Sequence, residues 1–330
     1  ERPFTTKHTR YNGNESVTIL FELKEGFLRR TVSSENDGLS GVPGVFQKYI
    51  LGNLEIWLLS IDLFFSYSYD QWCSQNKMAN MKVSILVINP NSSDSMTCAL
   101  KNLLSDLLHP NLSLDFYTAP PQAPPSIDDR ETSDISASIT MQSMLPFLDP
   151  SYTNPEDADY HHPYTAYLIA CYSPHPLTNM LRERTSAPVL NIFEASLLHA
   201  RALALPFGIV TTGRYWEPVL SKATRDYFSQ SNPEYDLGNA RDFVGVRSTN
   251  LTAIQLHTAP KAEVDQRIIY ASADLVREGA RVIILGCAAM SGMEATVRLG
   301  AQNEGQNVRI IDGVRAGIVL LEGLIRARHD

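Results

Sequence analysis

Two short stretches carry a thiol at the same place in a strand. RVIILGCAAMSG (281–292) runs four aliphatic residues into Gly286 and Cys287, and AYLIACYSPHPL (166–177) does nearly the same at Cys171. In an open α/β sheet the carboxyl ends of the strands are where ligands bind. A thiol with an ordinary pKa of about 8.5 gives up its proton not far above neutral pH. Taken singly, a cysteine there is most often a buried core residue. Two at equivalent positions, each followed by small or polar residues, favour a pair facing one bound molecule.

The elements around them alternate regularly from Met81 onward. Short β-branched or apolar runs predict strands at 82–88, 112–118, 165–170 and 187–192. A helix starts at Ser93 or Asp94 and runs to about Leu108, with further helices at 129–148 and 194–205. The pattern then begins again: strands at 206–212, 242–248, 281–286 and 307–312, with helices at 214–228, 261–279, from about Met290, and 314–328. Strands that are apolar throughout, separated by helices, belong to parallel sheets covered on both faces.

The two passes match in detail. TAYLIACYS aligns with VIILGCAAM, PVLNIFEAS with VRIIDGVRAG, and the strand before NPNSS with the strand before GRYW, each about 120 residues apart. So long a repeat is a duplicated domain. The expected fold is α/β: two pseudo-symmetric, doubly wound parallel-sheet domains with the active site in the cleft between them. Residues 81–192 plus 313–330 form the first domain and 193–312 the second. Residues 1–80 lack the alternation and read as a leader or extension, non-native or poorly ordered.

A net charge of −8 and the lack of a basic patch argue against a nucleic-acid partner. Glu55 and Asp62 interrupt the most apolar run, so no membrane partner is expected. Cys73, Cys98, Cys171 and Cys287 show no zinc-type spacing and fit reduced thiols in a cytoplasmic protein. Cys98 reads as a core residue of the first helix, and the four Asn-x-Ser/Thr matches as chance. No metal or cofactor is expected. Lys82, Lys101, Lys222 and Lys261 all miss the strand ends where a pyridoxal Schiff base would form, and NPNSS stands where a dinucleotide fold would place GxGxxG. His161 and His162 read as solvent-exposed, and no GxSxG elbow is present. A two-lobed binding protein or sensor would have no use for the paired thiols.

Taken in order, VINPNSS, ACYSPHPL, NIFEAS, LGCAAMSGM and IDGVRAG resemble the aspartate/glutamate/hydantoin racemase superfamily, most closely its hydantoin/allantoin racemase branch and the fungal members of it. The resemblance covers 81–330. It implies a cofactor-independent isomerase of nitrogen metabolism, acting on a small molecule such as allantoin or a 5-substituted hydantoin. Amino-acid racemases and maleate-type isomerases share the scaffold. Arylmalonate decarboxylases share it too, but need only one cysteine. A homo-oligomer is expected. Cys171 and Cys287 would be the two acid/bases, one thiolate and one thiol, removing a proton from one face of a carbon and delivering one to the other. Helix N-termini directly after both cysteines, with the N–H groups of 172–173 and 288–289, would stabilise thiolate and enolate.

Asn89, Ser93, Thr211 and Thr212 are the expected substrate contacts at the remaining strand ends, with Tyr172, Ser173, Gly286, Ala288 and Ala289 beside the thiols. Gly286 reads as room for a ligand to approach. Glu194 and Asp312 orient loops or substrate, or cap helices. Branch members often carry a Gly/Ala-Asp pair after the first cysteine. Here Ser173, Pro174 and His175 replace it, a departure that bears on substrate choice more than on reaction type.

Overall fold

The computed structural model describes residues 4–11, 14–23, 26–33, 81–148, 164–229 and 242–327. Cys73, His161 and His162 lie outside them. Contacts divide the chain into two compact units, Glu1–Tyr69 and Asp70–Asp330. In the first, strands β1 (Phe4–Tyr11), β2 (Asn14–Leu23) and β3 (Gly26–Ser33) form an antiparallel sheet, with Tyr11 opposite Asn14 and Leu23 opposite Gly26. The alternation test for α/β units finds no element here. The cue that does exist is Asn12-Gly13 between two strand-like runs, a dipeptide favoured in two-residue hairpin loops.

The second unit holds two four-stranded sheets. One is built from β4 (Val83–Asn89), β5 (Leu112–Thr118), β6 (Ala166–Ile169) and β7 (Val189–Asn191), in the order β5-β4-β6-β7. The other is built from β8 (Phe207–Thr211), β9 (Phe243–Ser248), β10 (Val282–Gly286) and β11 (Arg309–Asp312), in the order β9-β8-β10-β11. Every neighbouring pair in both is parallel. Read from each half's first strand, the two orders are identical, as a duplication requires. In each sheet the chain reverses direction between the first and third strands, β4/β6 and β8/β10. Such switch points open a crevice at the strands' carboxyl ends.

The first half carries helices α1 (Asp94–Leu103), α2 (Arg130–Leu148), α3 (Leu177–Arg182) and α4 (Ile192–Leu203). The second carries α5 (Trp216–Ser229), α6 (Gln255–Thr258), α7 (Lys261–Arg277), α8 (Glu294–Asn303) and α9 (Gly313–Arg326). Two short helices, α3 and α6, have no counterpart in the sequence reading because six and four residues are too few to show a period. The helix expected from about Met290 begins at Glu294 instead. The intervening Ala288–Met290 forms a single 3-10 turn, with the Met290 N–H donating back to the Cys287 carbonyl.

α4 and α9 start at equivalent points and are capped alike. Asn191 accepts from the Glu194 N–H at 2.8 Å, and Asp312 accepts from Val314 and Arg315 at 2.8 and 3.1 Å. These two helices pack on each other and reach across the halves: α4 meets β10 and β11, while α9 meets β4, β6 and β7. A single apolar core therefore joins Leu168, Leu197, Ile284 and Ile318.

At the crossing, a β-carbon on Gly313 would stand 2.7 Å from the Ile192 carbonyl oxygen, a backbone atom with no freedom to yield. We predict that Gly313→Ala costs about 1–3 kcal/mol, the range for an overpacked contact. A thermal melt reads it, and an unchanged Tm would contradict the close approach.

Candidate active site

The carboxyl ends of β4, β6, β8 and β10 converge on one cleft with an interior volume of about 80 Å³. Cys171, two residues past β6, and Cys287, directly after β10, both line it. Of the other sequence-predicted contacts, Asn89, Tyr172, Thr211, Thr212, Gly286, Ala288 and Ala289 also line it. Ser93 and Ser173 do not. Ser93 caps α1 by accepting from the Met96 N–H, and Ser173 is buried behind Cys171, with its hydroxyl 3.5 Å from the Cys171 sulfur.

Three of the predicted contacts are partly occupied by their own framework. The Asn89 amide nitrogen is shared among Asn91 Oδ1, the Ser93 carbonyl and Thr97 Oγ1 at 3.0–3.1 Å, so its donors serve the NPNSS turn. Thr211 Oγ1 donates to the Gly286 carbonyl, tying β8 to β10. Gly286 lines the cleft and also has a structural reason to be small: a β-carbon there would meet the Val210 carbonyl oxygen at 2.6 Å. Glu194 pairs with Arg182 at 2.6 Å and contributes only its N–H to the cap of α4.

Sequence reasoning did not find several lining residues. Met96, Ala99, Leu100 and Leu103 come from one face of α1 at helical spacing, and with Ile127 and Trp216 they make an apolar flank. Asn91, Ser291 and His257 add polar groups, His257 from the short α6. Their signal in the sequence is an ordinary amphipathic helix and isolated loop residues. Cys98, expected in the core, is exposed on α1.

The surroundings of the two thiols differ from the expected pair of helix N-termini. After Cys171 the chain turns through Tyr172–Pro176 before α3, and after Cys287 comes the 3-10 turn. Each cysteine keeps some contact with solvent, yet both sulfurs are packed closely enough for burial to dominate their ionisation. Burial pushes Cys171 up to about 12, against which the Ser173 hydroxyl works, and charge on Cys287 raises it further. Burial pushes Cys287 up to about 11; the backbone N–H groups of Ala289 and Met290 lower it and the Asp128 carboxylate raises it. The donors at Cys287 are thus residues 289 and 290, not 288 and 289.

Tyr172 anchors the first thiol's turn. Its hydroxyl is 2.9 Å from Ser196 Oγ, and its ring meets Phe193 edge-on.

The profile of the Asp/Glu/Hydantoin racemase family matches residues 85–321. The chain belongs to that family. An uncharacterised protein of Schizosaccharomyces pombe is 36% identical over 245 residues, 74% of this chain and 92% of its own length. A hydantoin racemase of Rhizobium meliloti is 27% identical over 249 residues, 74% of this chain and 90% of its own. The crystal structure of an allantoin racemase from Pseudomonas fluorescens superimposes with a TM-score of 0.59 at 22% identity, covering 74% of this chain and 91% of that one. This racemase-family chain shares its fold of two parallel sheets with flanking helices. Among the described residues no cluster of His, Cys, Asp or Glu could hold a metal ion, and no helix is long and apolar enough to cross a membrane.

His175, at the departure after Cys171, is buried outside the cleft. Its Nδ1 accepts from the Leu177 N–H at 3.4 Å, and its Nε2 lies 3.4 Å from Ser136 Oγ. Burial lowers its pKa from 6.5 to about 4. The unfolded chain therefore binds the extra proton first: stability is full above pH 6.5 and drains away as pH falls towards 4. The shift corresponds to about 3 kcal/mol. In urea titrations His175→Gln should lose less stability than the parent between pH 7 and pH 4. An equal loss in both would show that this histidine is not the proton-linked group.

Proposed function

We propose that this family member racemises hydantoin-type substrates, allantoin or 5-substituted hydantoins, by two-cysteine proton transfer. The observation that carries the reading is the placement of Cys171 and Cys287 at matching strand ends of duplicated sheets on one cleft. Inverting a carbon requires proton removal on one face and delivery on the other, and two like groups do this in either direction. Mutual repulsion supports a state with one thiolate and one thiol, because charge on Cys287 raises Cys171. Two N–H donors against one hydroxyl make Cys287 the more readily ionised of the two.

The ring suits both the chemistry and the cleft. Its C5–H lies between a carbonyl and a nitrogen, so it is more acidic than the α-proton of an amino-acid anion. None of the described lining residues is Lys or Arg, the usual partners of a carboxylate, which favours an uncharged ring over aspartate or glutamate. A homo-oligomer, a cytoplasmic location and a place in nitrogen metabolism belong to the same reading.

A polarimetric assay with enantiopure allantoin, 5-alkyl and 5-arylmethyl hydantoins, and aspartate tests it. Loss of rotation with a hydantoin is the expected result. Turnover of aspartate alone would move the chain to the amino-acid branch. Cys171→Ser and Cys287→Ser should each reduce racemisation by at least a thousandfold while circular dichroism stays that of the parent. Full racemisation by either variant would end the two-base scheme.

The raised thiols also set the pH dependence. The base must be ionised, and both thiols lie well above neutrality, so kcat/KM should climb close to tenfold per pH unit from 7 to 9. A plateau below pH 8 would mean that an activated thiolate already exists.

A further inference from the structure

The duplication pairs Asn191, which closes β7 and caps α4, with Asp312, which closes β11 and caps α9. Both are buried, and both give one oxygen to the cap. Their second atoms differ. Asn191 Nδ2 donates to Thr178 Oγ1 at 3.0 Å, so that side chain is complete. Asp312 Oδ2 is buried with no hydrogen-bond partner among the described residues. A buried carboxylate oxygen left unpaired is costly.

The group nearest in role to Thr178 is Ser291, which ends the 3-10 turn after Cys287 and lines the cleft. Its hydroxyl sits close enough to favour the charged form of Asp312, against burial that raises the pKa, without completing a hydrogen bond to Oδ2. The two cap N–H groups and the start of α9 also favour the carboxylate. An ionised carboxylate only accepts, whereas a hydroxyl has one hydrogen and two lone pairs.

We propose that Asp312 is a positioning residue: Oδ2 takes the Ser291 hydroxyl hydrogen and so turns the Ser291 oxygen into the cleft as an acceptor for a ring N–H of the substrate. This deepens the hydantoin reading and rests on it. It identifies the recognised feature as an amide-type ring N–H facing the side of the cleft that carries Cys287 and Ser291. A free amino-acid anion offers no such ring donor. The first half has no matching acceptor, because Thr178 accepts from Asn191 and does not line the cleft.

The test compares the parent, Ser291→Ala and Asp312→Asn on the hydantoin that the parent turns over fastest and on its N1-methyl and N3-methyl analogues. Asn keeps the cap oxygen but replaces the Oδ2 acceptor with a donor. The parent should prefer the N–H substrate to one of the two methylated forms by about tenfold or more in kcat/KM, the scale of a lost hydrogen bond in a closed site. Both variants should reduce that preference to about twofold, through a higher KM for the N–H substrate, with the melting temperature of Asp312→Asn near the parent's.

A parent indifferent to both methylations overturns the inference, and so does an Asp312→Asn enzyme that keeps the parental preference. If Asp312→Asn unfolds, Ser291→Ala, which leaves the cap intact, decides alone by the same criterion. A parent that racemises no hydantoin overturns the functional reading, and this inference with it.

Discussion

The contact of α4 with α9 is the constraint on which the site depends. Each helix begins on the last residue of its own sheet and lies against strands of the other. The two N-termini meet where Gly313 presses on the Ile192 carbonyl. Through these helices the contact links the two sheets whose strands β6 and β10 lead to Cys171 and Cys287. The buried caps Asn191 and Asp312 stand on the same line, where every polar atom left without a hydrogen bond is costly. Packing and chemistry are therefore not separable along this seam. The residues that join the halves also set where the strand ends point.

Within the cleft the dominant electrostatic fact is desolvation. Both thiols are pushed upward by burial, and the groups that oppose it are few and unlike: one hydroxyl at Cys171, two backbone N–H groups at Cys287. A symmetric fold thus holds an asymmetric pair. A reversible racemisation needs symmetry only in overall free energy, since the two enantiomers are equal in solution. In the proposed racemisation the individual steps are free to differ, with Cys287 the thiol whose neighbours oppose burial more strongly. The same burial that makes thiolate scarce also strengthens every dipole aimed at charge developing on the substrate.

The sequence displays the sheets and the thiols plainly, for physical reasons. A strand buried on both faces is a continuous apolar run, and a duplicated run ending in cysteine is conspicuous. The fold class, the two passes and the grouping of most strand-end residues around one cleft follow from that. The flanks were not legible. Leu100 and Leu103 reach the cleft from a helix whose pattern marks only an apolar face, and His257 arrives on a four-residue helix with no period at all. Cys98 was placed in the core because cysteines usually are, but its position on α1 faces solvent. A serine at the start of a helix after a strand has two uses, and Ser93 serves as the cap of α1. The hairpin sheet within residues 4–33 carries antiparallel signals that α/β alternation does not register.

The departure after Cys171 illustrates how far a local motif can be read without its surroundings. Ser173, Pro174 and His175 replace residues that would naturally be assigned to substrate contact, yet none of the three lines the cleft. Ser173 acts on the thiol from behind, and His175 stands beside Ser136, whose hydroxyl donates to the Pro90 carbonyl in the NPNSS turn. The substitution therefore changes what supports the wall: a hydroxyl at the sulfur and a neutral imidazole between α2 and the turn after β6. Its reach into the cleft runs through the pKa of Cys171, which the Ser173 hydroxyl lowers, and through the Pro90 carbonyl of the turn after β4. The motif difference beside Cys171 is a difference in what packs behind the thiol, while α1, α6 and Ser291 supply cleft-lining groups that none of the three motif residues supplies.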